Sequence, residues 1–239
     1  LQPGSVFPVK DGPTWKGNLH TANISLTNKF SEDLTVYGGV QYGEKGGMSQ
    51  IASNGATSLV DKERTTGYEV GIRTSLLNNT LTLNGTAFLN DVKDFQTTVN
   101  VPDPVATAAN LAADPTLSLA DAQAFQSLVG NLPAIRVKGL EVDAVYSGIK
   151  NLSLRLAAAY NDARYYKDAW FSLPQEVNNI GLPPGQRYYN AKGDTLNNAP
   201  KYTFNLGANY NLPVFNNKVF HAAANYNYTS SYQTGAGAY

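Results

Sequence analysis

The sequence predicts an all-β fold in which antiparallel strands form a segment of a transmembrane β-barrel. Three observations support this prediction: eight segments alternate apolar and polar residues, the connections between them alternate in length, and no run of about 18 apolar residues could form a transmembrane helix. The eight segments are roughly residues 19–30, 34–43, 65–76, 80–96, 134–147, 151–161, 200–211 and 217–231.

Each segment separates an apolar face from a polar face, because successive side chains of a strand point to opposite sides. In chain order, the apolar faces are represented by Ile24, Val40, Val70, Leu83, Val142, Leu154, Leu206 and Ala224. The polar faces are represented by Asn23, Gln41, Glu69, Thr82, Glu141, Arg155, Asn205 and Asn227. Tilted strands of about 9–11 residues cross the hydrocarbon of a membrane, and tyrosines suit the interface on either side of it. These segments have that length and carry tyrosines near their ends, which favours a membrane barrel.

The connections alternate strictly between short turns and long loops. Short polar turns follow the first, third, fifth and seventh segments, and the long loops span about residues 44–63, 97–133 and 162–199. All the short turns would then lie at one end of the sheet, as periplasmic turns do in outer-membrane barrels, with the long loops extracellular. A soluble all-β domain with one solvated face is the alternative that the alternation alone leaves open.

The second long loop contains the one helix that the sequence predicts. Ser118 is suited to cap a helix over residues 119–129, and Gly130 and Pro133 are suited to end it. The predicted fold is therefore all-β with one short loop helix.

Composition excludes several classes of function. The formal net charge is zero, so there is no basic surface of the kind that binds nucleic acid, and no nucleic-acid partner is predicted. Charged residues make up only 15% of the chain, against about 25% in ordinary soluble domains. Cysteine is absent, which excludes disulfides and thiolate metal sites.

Strand parity predicts where the chain ends lie. If the short turns are periplasmic, the first strand begins outside the cell, and the eighth strand ends there too because the number of strands is even. Complete bacterial barrels normally begin and end in the periplasm. We therefore expect residues 1–239 to be part of a single barrel domain and an internal piece of a larger barrel.

Five stretches of the sequence, in their order and spacing, resemble the C-terminal half of the barrel of TonB-dependent outer-membrane receptors. They are residues 36–47 (VYGGVQYGEKGG), 62–73 (KERTTGYEVGIR), 81–96 (LTLNGTAFLNDVKDFQ), 136–143 (RVKGLEVD) and 198–204 (NAPKYTF). The family barrel has 22 strands, and the eight strands here would be about strands 12–19. The plug domain and the TonB-box peptide of the family are absent from this sequence, as are the final strands.

The resemblance implies a receptor of the Gram-negative outer membrane that takes up a scarce nutrient, such as a ferric siderophore or another iron complex, energised through TonB. Its implied partners are outer-membrane lipid, the TonB system acting through a plug outside this chain, and a small-molecule nutrient. Two alternatives remain: a passive porin-like barrel, and a soluble all-β carbohydrate-binding module.

No catalytic set of residues is recognisable, so an enzyme is not predicted. His20 and His221 lie far apart on different strands. Glu141 and Asp143 share a face and could act as a carboxylate pair, but we interpret them as lumen-facing acids that pair with basic residues of neighbouring strands or of the plug. Asp103, Asp114 and Asp121 lack the spacing of a calcium loop, and neither a metal nor a cofactor is predicted. The full set of lumen-facing charged residues is Glu69, Arg73, Glu141, Asp143 and Arg155.

The third long loop contains the candidates for ligand recognition. Exposed aromatic and basic side chains can stack on and pair with an anionic, aromatic or sugar-like ligand. The candidates are Trp170, Phe171, Arg187, Tyr188 and Tyr189.

Parity on the fifth segment also predicts where the membrane begins. Arg136 and Lys138 share parity with the apolar residues that start at Leu140, and charges at mid-membrane would be costly. They lie at the loop end of the segment, so we expect them above the hydrocarbon or past a bulge at Gly139. The membrane boundary is predicted at about Gly139.

Overall fold

The computed structural model describes residues 12–172 and 188–234, which form an antiparallel sheet with long excursions at one end. The strands are β1 (Thr21–Ser31), β2 (Leu34–Lys45), β3 (Met48–Ile51), β4 (Thr57–Val60), β5 (Glu63–Leu76), β6 (Leu81–Asp103), β7 (Ala124–Tyr146), β8 (Leu152–Tyr165), β9 (Trp170–Ser172), β10 (Tyr188–Asn190), β11 (Tyr202–Pro213) and β12 (Val219–Thr229). The helices are α1 (Pro104–Ala113) and α2 (Leu119–Ala122).

The main sheet consists of the eight predicted strands, each paired with the next, in the order β1-β2-β5-β6-β7-β8-β11-β12. The predicted antiparallel fold is thereby confirmed. Two small hairpins, β3–β4 and β9–β10, extend from the long connections. Among the described residues, no helix is long and apolar enough to cross a membrane.

The register brings the apolar faces that the sequence predicts for the eight strands to one side of the sheet, which we call the apolar face, and their polar faces to the other side, the polar face. Residues paired across neighbouring strands lie on the same face: Val36 pairs with Ile72 and Val142 pairs with Ala158, and all four lie on the apolar face. No described part of the chain covers this face, since the side chain of Ile24 is 78% exposed and that of Val70 is 55% exposed. A contiguous exposed apolar surface of this extent requires a non-aqueous neighbour.

The short turns are built largely from asparagines in left-handed backbone conformations. Asn78 and Asn79 have φ of 55° and 63°, and Asn216 and Asn217 have φ of 59° and 54°. Asparagine adopts this conformation more readily than most residues, so these turns can close adjacent strands tightly.

Strands β6 and β7 are each 23 residues long and continue beyond their predicted ends. The register passes from the pair Lys93–Ala134 to the pair Phe95–Leu132, and an irregularity at Asp94, whose φ is 55°, accommodates Pro133. Proline is tolerated in a strand at such an irregularity because no ladder hydrogen bond is needed there. The continuation, residues 94–133 with both helices at its tip, is called the arm below.

The helix predicted over residues 119–129 is wrong beyond Ala122. Ser118 does cap a helix, its Oγ accepting from the backbone N–H of Asp121, but the chain re-enters a strand at Ala124. Residues 124–129 pair with residues 98–103 of β6, and these hydrogen bonds outweigh local helix preference. The sequence analysis missed α1, which begins with Pro104 after the cap residue Asp103.

No bulge occurs at Gly139, and that alternative is wrong. The ladder is continuous on both sides of β7, with Gly139 paired to Phe88 and to Asn161. A Cβ at position 139 would lie 2.1 Å from the carbonyl oxygen of Tyr160, so only glycine fits there. Lys138 therefore keeps the parity of the apolar face.

Candidate functional site

A hydrophobic cluster anchors the third long loop to the upper part of the sheet. Its buried members are Val92, Leu132, Ile135, Tyr165, Ala169, Phe171 and Ala191. Val92, Ile135 and Tyr165 have the parity of the polar face, so the loop packs against that side of β6, β7 and β8. The ring of Phe171 lies 5.3 Å from that of Tyr165 at an edge-on angle, a favourable aromatic geometry.

The β9–β10 hairpin has two faces with different surroundings. Phe171 pairs with Tyr189, and both pack on the cluster, with ring centroids 6.0 Å apart. Trp170 and Tyr188 alternate with them and lie on the opposite side, 61% and 39% exposed. The structure thus separates the candidate residues into two anchors and two exposed rings. Arg187 lies outside the described residues.

Asn190 stabilises the hairpin and was missed by the sequence analysis. Its Oδ1 accepts from the backbone N–H groups of Ala169 and Lys192, both at 3.1 Å, and its Nδ2 donates to Asp168 at 3.0 Å. The bond from Asn190, followed by the nearby Lys192 ammonium, lowers the pKa of the Asp168 carboxyl. An asparagine at a turn is the signal that could have indicated this role.

The five predicted charged residues all lie on the polar face of the sheet. Across adjacent strands, Arg73 pairs with Asn84, which pairs in turn with Asp143. Within the described residues none of the five forms an ion pair with another strand. A counter-ion for Glu69 or Glu141 would have to come from outside this part of the chain.

A tyrosine and a glycine organise the polar face near Arg73. The ring of Tyr37 lies across Gly71, and its hydroxyl is 2.8 Å from Oγ1 of Thr86 on the next strand. A Cβ at position 71 would meet that ring at 2.4 Å, so the arrangement requires glycine. The guanidinium of Arg73 lies 5.0 Å from the ring centroid, which is within the range of a cation–π contact.

A shallow depression of about 330 Å³ lies across β7, β8, β11 and β12. Glu141 and Asp143 border it on one side and Asn205 on another, while Ala157 and Ala159 are small enough to leave room between them. Two carboxylates beside an open space can receive a cationic group that approaches the polar face of the sheet.

The β3–β4 hairpin is held to the arm by side-chain hydrogen bonds. The amide of Gln50 donates to the carbonyl of Val129 at 2.6 Å and accepts from its N–H at 2.9 Å. Ser53 Oγ donates to Asp103 Oδ1 at 2.6 Å, while the same carboxylate caps α1. The bond from Ser53, followed by the N–H of Ala106, lowers the pKa of Asp103.

We expect this attachment of the hairpin to the arm to be lost in acid. The stabilisation due to Asp103 is complete above the ordinary carboxyl pKa of 3.8 and disappears as the pH falls through the lowered pKa of the folded state. Asp103→Asn should lower the protection of the Ser53 and Ala106 amides against hydrogen exchange at neutral pH, and acidification should lower their protection in the unmodified chain, each relative to the intrinsic exchange rate at the same pH. Asp114→Asn, at the other end of α1, is the control: among residues 12–172 and 188–234 its carboxylate bonds only to Thr116, and its replacement should leave the protection of Ser53 unchanged.

A sheet that is apolar on one side and polar on the other, with tight turns at one end and long structured loops at the other, defines an outer-membrane β-barrel segment. Residues 3–239 match the family of TonB-dependent receptor-like β-barrels, and the chain belongs to that family. It is therefore a protein of the Gram-negative outer membrane, which excludes the soluble carbohydrate-binding module.

Two solved structures are similar to the chain in fold. The ferric yersiniabactin uptake receptor FyuA from Yersinia pestis is 15% identical with a TM-score of 0.57, over 87% of this chain and 25% of that one. BauA, the ferric preacinetobactin receptor from Acinetobacter baumannii, is 17% identical with a TM-score of 0.52, over 88% and 25%. The chain thus spans about a quarter of the length of these receptors. No curated protein matches the chain by sequence.

Proposed function

We propose that the chain forms part of the wall and outer loops of a receptor that takes up a ferric siderophore or another iron complex, energised through TonB. The observation that carries this proposal is the anchored β9–β10 hairpin, which exposes Trp170 and Tyr188 on the side opposite to the one that packs on the cluster. Of the two similar receptors named above, one is a ferric yersiniabactin uptake receptor and the other is a ferric preacinetobactin receptor.

The hairpin has the chemistry that such a ligand needs. Exposed indole and phenol rings stack on planar or aromatic chelating groups, and a rigid hairpin loses little entropy when the ligand binds. Phe171 and Tyr189 supply the rigidity, and Trp170 and Tyr188 supply the contact surface. We include Arg187 in the site because it directly precedes Tyr188 in sequence and would add a cation beside the ring.

We propose that the polar face lines the lumen and contacts the plug, which lies outside this chain. Glu69, Glu141 and Asp143 would receive basic groups of the plug, since no described strand supplies their counter-ions. Arg73 and Arg155 would receive acidic groups. Complementary charges of this kind would fix the orientation of the plug against the wall.

The test of the ligand site is the double variant Trp170→Ala/Tyr188→Ala in the whole receptor. We expect Kd for a ferric siderophore to rise about tenfold or more, equivalent to about 1.4 kcal/mol of binding free energy. Binding would be measured by fluorescence titration of purified receptor against a panel of ferric siderophores. Phe215→Ala is the matched control, because Phe215 is 81% exposed and lies in a short turn at the opposite end.

Uptake of radioactive iron in cells with and without TonB separates the energised receptor from a passive porin-like barrel. The proposal requires uptake to stop in cells that lack TonB. Uptake that continues at the same rate would favour the passive barrel, and an unchanged Kd in the double variant would remove Trp170 and Tyr188 from the site.

A further inference from the structure

Two asparagines of the sequence directly precede a glycine, and the fold places them in opposite surroundings. Asn54 and Gly55 lie at the tip of the β3–β4 hairpin, and both are exposed. Asn84 and Gly85 lie inside β6, which is paired with β5 on one side and with β7 on the other. An asparagine followed by glycine is chemically reactive, because the glycine nitrogen, with no side chain beside it, can attack the side-chain amide carbon of the asparagine.

The geometry of the hairpin tip favours this attack at Asn54. The N–H of Ala56 donates to Asn54 Oδ1 at 3.0 Å, and such a donor stabilises the negative charge that develops on this oxygen during the attack. Apart from the two neighbouring residues, no described heavy atom lies within 4 Å of the position that a Cβ of Gly55 would occupy, which leaves room for the addition product. The turn bond from the Gly55 N–H to the carbonyl of Ala52, at 2.9 Å, has to open first. Exposed turns of this kind open at little cost in free energy.

The same attack is blocked at Asn84. Asn84 is paired with Arg73 on one side and with Asp143 on the other, and the same two ladders hold Gly85. Turning the peptide between Asn84 and Gly85 towards the side chain would disrupt the pairing of a central strand. Such strands open only in rare and more extensive unfolding events.

From this contrast we infer that Asn54 is a site of spontaneous deamidation, and that its conversion releases the β3–β4 hairpin from the arm. The Gly55 nitrogen forms a bond to Cγ of Asn54 and gives up its proton, the bond from Cγ to Nδ2 breaks, and ammonia leaves with that proton. Water then adds to one of the two carbonyls of the cyclic imide and opens the ring, which gives aspartate or isoaspartate at position 54. The inference goes beyond nutrient uptake and does not depend on it.

Either product weakens the attachment of the hairpin to the arm. Asn54 directly follows Ser53, whose Oγ donates to the carboxylate of Asp103 at 2.6 Å. A carboxylate at position 54 adds negative charge close to that of Asp103, and the two like charges repel each other. Isoaspartate in addition lengthens the backbone by one carbon within the turn that the Ala52 N–H closes by donating to the carbonyl of Ala56.

The experiment stores the whole receptor in detergent at neutral pH and follows both asparagines by peptide mass spectrometry. Digestion in heavy-oxygen water marks any conversion that the digestion itself causes. Cleavage after Lys45 and Lys62 gives a peptide in which Asn54 is the only asparagine. We expect Asn54 to convert at least about tenfold faster than Asn84, because a modest free energy of strand opening slows the attack by that factor. After unfolding in guanidinium the two should convert at similar rates, because the reacting dipeptide is the same.

Two variants test the release of the hairpin. Asn54→Asp reproduces the charge of the product, and Asn54→Ser is the matched control, because a serine hydroxyl can accept from the Ala56 N–H but cannot form the imide. Asn54→Asp should lower the protection of the Ser53 amide against hydrogen exchange about threefold, as expected for repulsion between exposed charges, and Asn54→Ser should keep it. Storage should lower this protection in the unmodified chain and leave it unchanged in Asn54→Ser.

The rates in the unmodified receptor test the inference whether or not the variants fold. Equal conversion of Asn54 and Asn84 in the folded receptor, or no conversion of Asn54, would overturn it. A difference between the two sites that persists after unfolding would also overturn it, because neighbouring side chains rather than the fold would then be the cause. Unchanged protection of Ser53 once Asn54 has converted would overturn the release of the hairpin.

Discussion

Leu206→Lys is expected to destabilise the barrel in a bilayer by about 2–4 kcal/mol, the cost of a lysine on the lipid-facing side at mid-membrane. Leu206 lies in the middle of β11 between Leu156 of β8 and Tyr226 of β12, all on the apolar face. Its side chain is 44% exposed, so the ammonium would replace a leucine on the uncovered apolar face. The measurement is the free energy of unfolding by guanidinium in lipid vesicles.

The control is Asn205→Lys, one residue away on the polar face. Asn205 Nδ2 donates to Oδ1 of Asn227, so its replacement should cost only about 1 kcal/mol, the net value of a neutral hydrogen bond. Leu154→Lys and Ser153→Lys repeat the comparison on β8. Equal losses on the two faces would contradict the assignment of the apolar face to lipid.

The main sheet was predictable because period-2 alternation is a local property of each strand. Ile24, Val70 and Leu206 identify the apolar face without knowledge of the partner strands, and the asparagine-rich turns mark where strands end. Each of the eight strands therefore appeared in the sequence, with boundaries a few residues from those observed outside the arm.

The arm was not predictable, because its pairing is decided between distant residues. Residues 119–129 have helix-compatible composition and a good cap in Ser118, and a short apolar run fits a helix or a strand equally well. Pairing with residues 98–103 selects the strand, and the irregularity at Asp94 that accommodates Pro133 has no signature in either segment alone.

The charged residues at the loop end of β7 were predictable in part. Parity placed Arg136 and Lys138 on the apolar face, and the structure retains that parity. Their counter-ions were not identified: Asp91 accepts from Arg136 at 2.6 Å and 2.8 Å, and Asp162 lies beside Lys138. These contacts depend on the register of neighbouring strands, which a single segment does not reveal.

The candidate ligand site was recognisable as a set of rings, but the role of each ring was not. Trp170 and Phe171 are adjacent in sequence and chemically alike, yet one is exposed and the other is 8% exposed. Their separation follows from the hairpin register and from Ala169 and Ala191, whose small side chains let the loop approach the sheet closely. Small residues in a polar loop do not reveal from the sequence alone that they will be buried.

Phe171→Ala should cost about 3–5 kcal/mol of local stability, the usual cost of removing a buried phenylalanine. Phe171 contacts Tyr165 and Tyr189, so its loss leaves a cavity between the hairpin and the sheet. The expected result is faster hydrogen exchange at the amides of Ala191 and Gly193, which bond to the carbonyls of Ala169 and Tyr165 at 2.8 Å. The eight-strand sheet should keep its protection, because its ladders do not depend on this hairpin.

Trp170→Ala is the matched control for this change, because it removes a neighbouring ring that the cluster does not contain. It should leave exchange at Ala191 unchanged while weakening ligand binding directly. Phe171→Ala should weaken ligand binding as well, through loss of the ordered hairpin, although Phe171 itself packs against the sheet. We expect fast exchange and weak binding in Phe171→Ala, but normal exchange and weak binding in Trp170→Ala. This difference would show that Phe171 anchors the hairpin and that Trp170 contacts the ligand. Normal exchange in Phe171→Ala would mean that the cluster does not hold the hairpin, and the division into anchors and contact rings would fail.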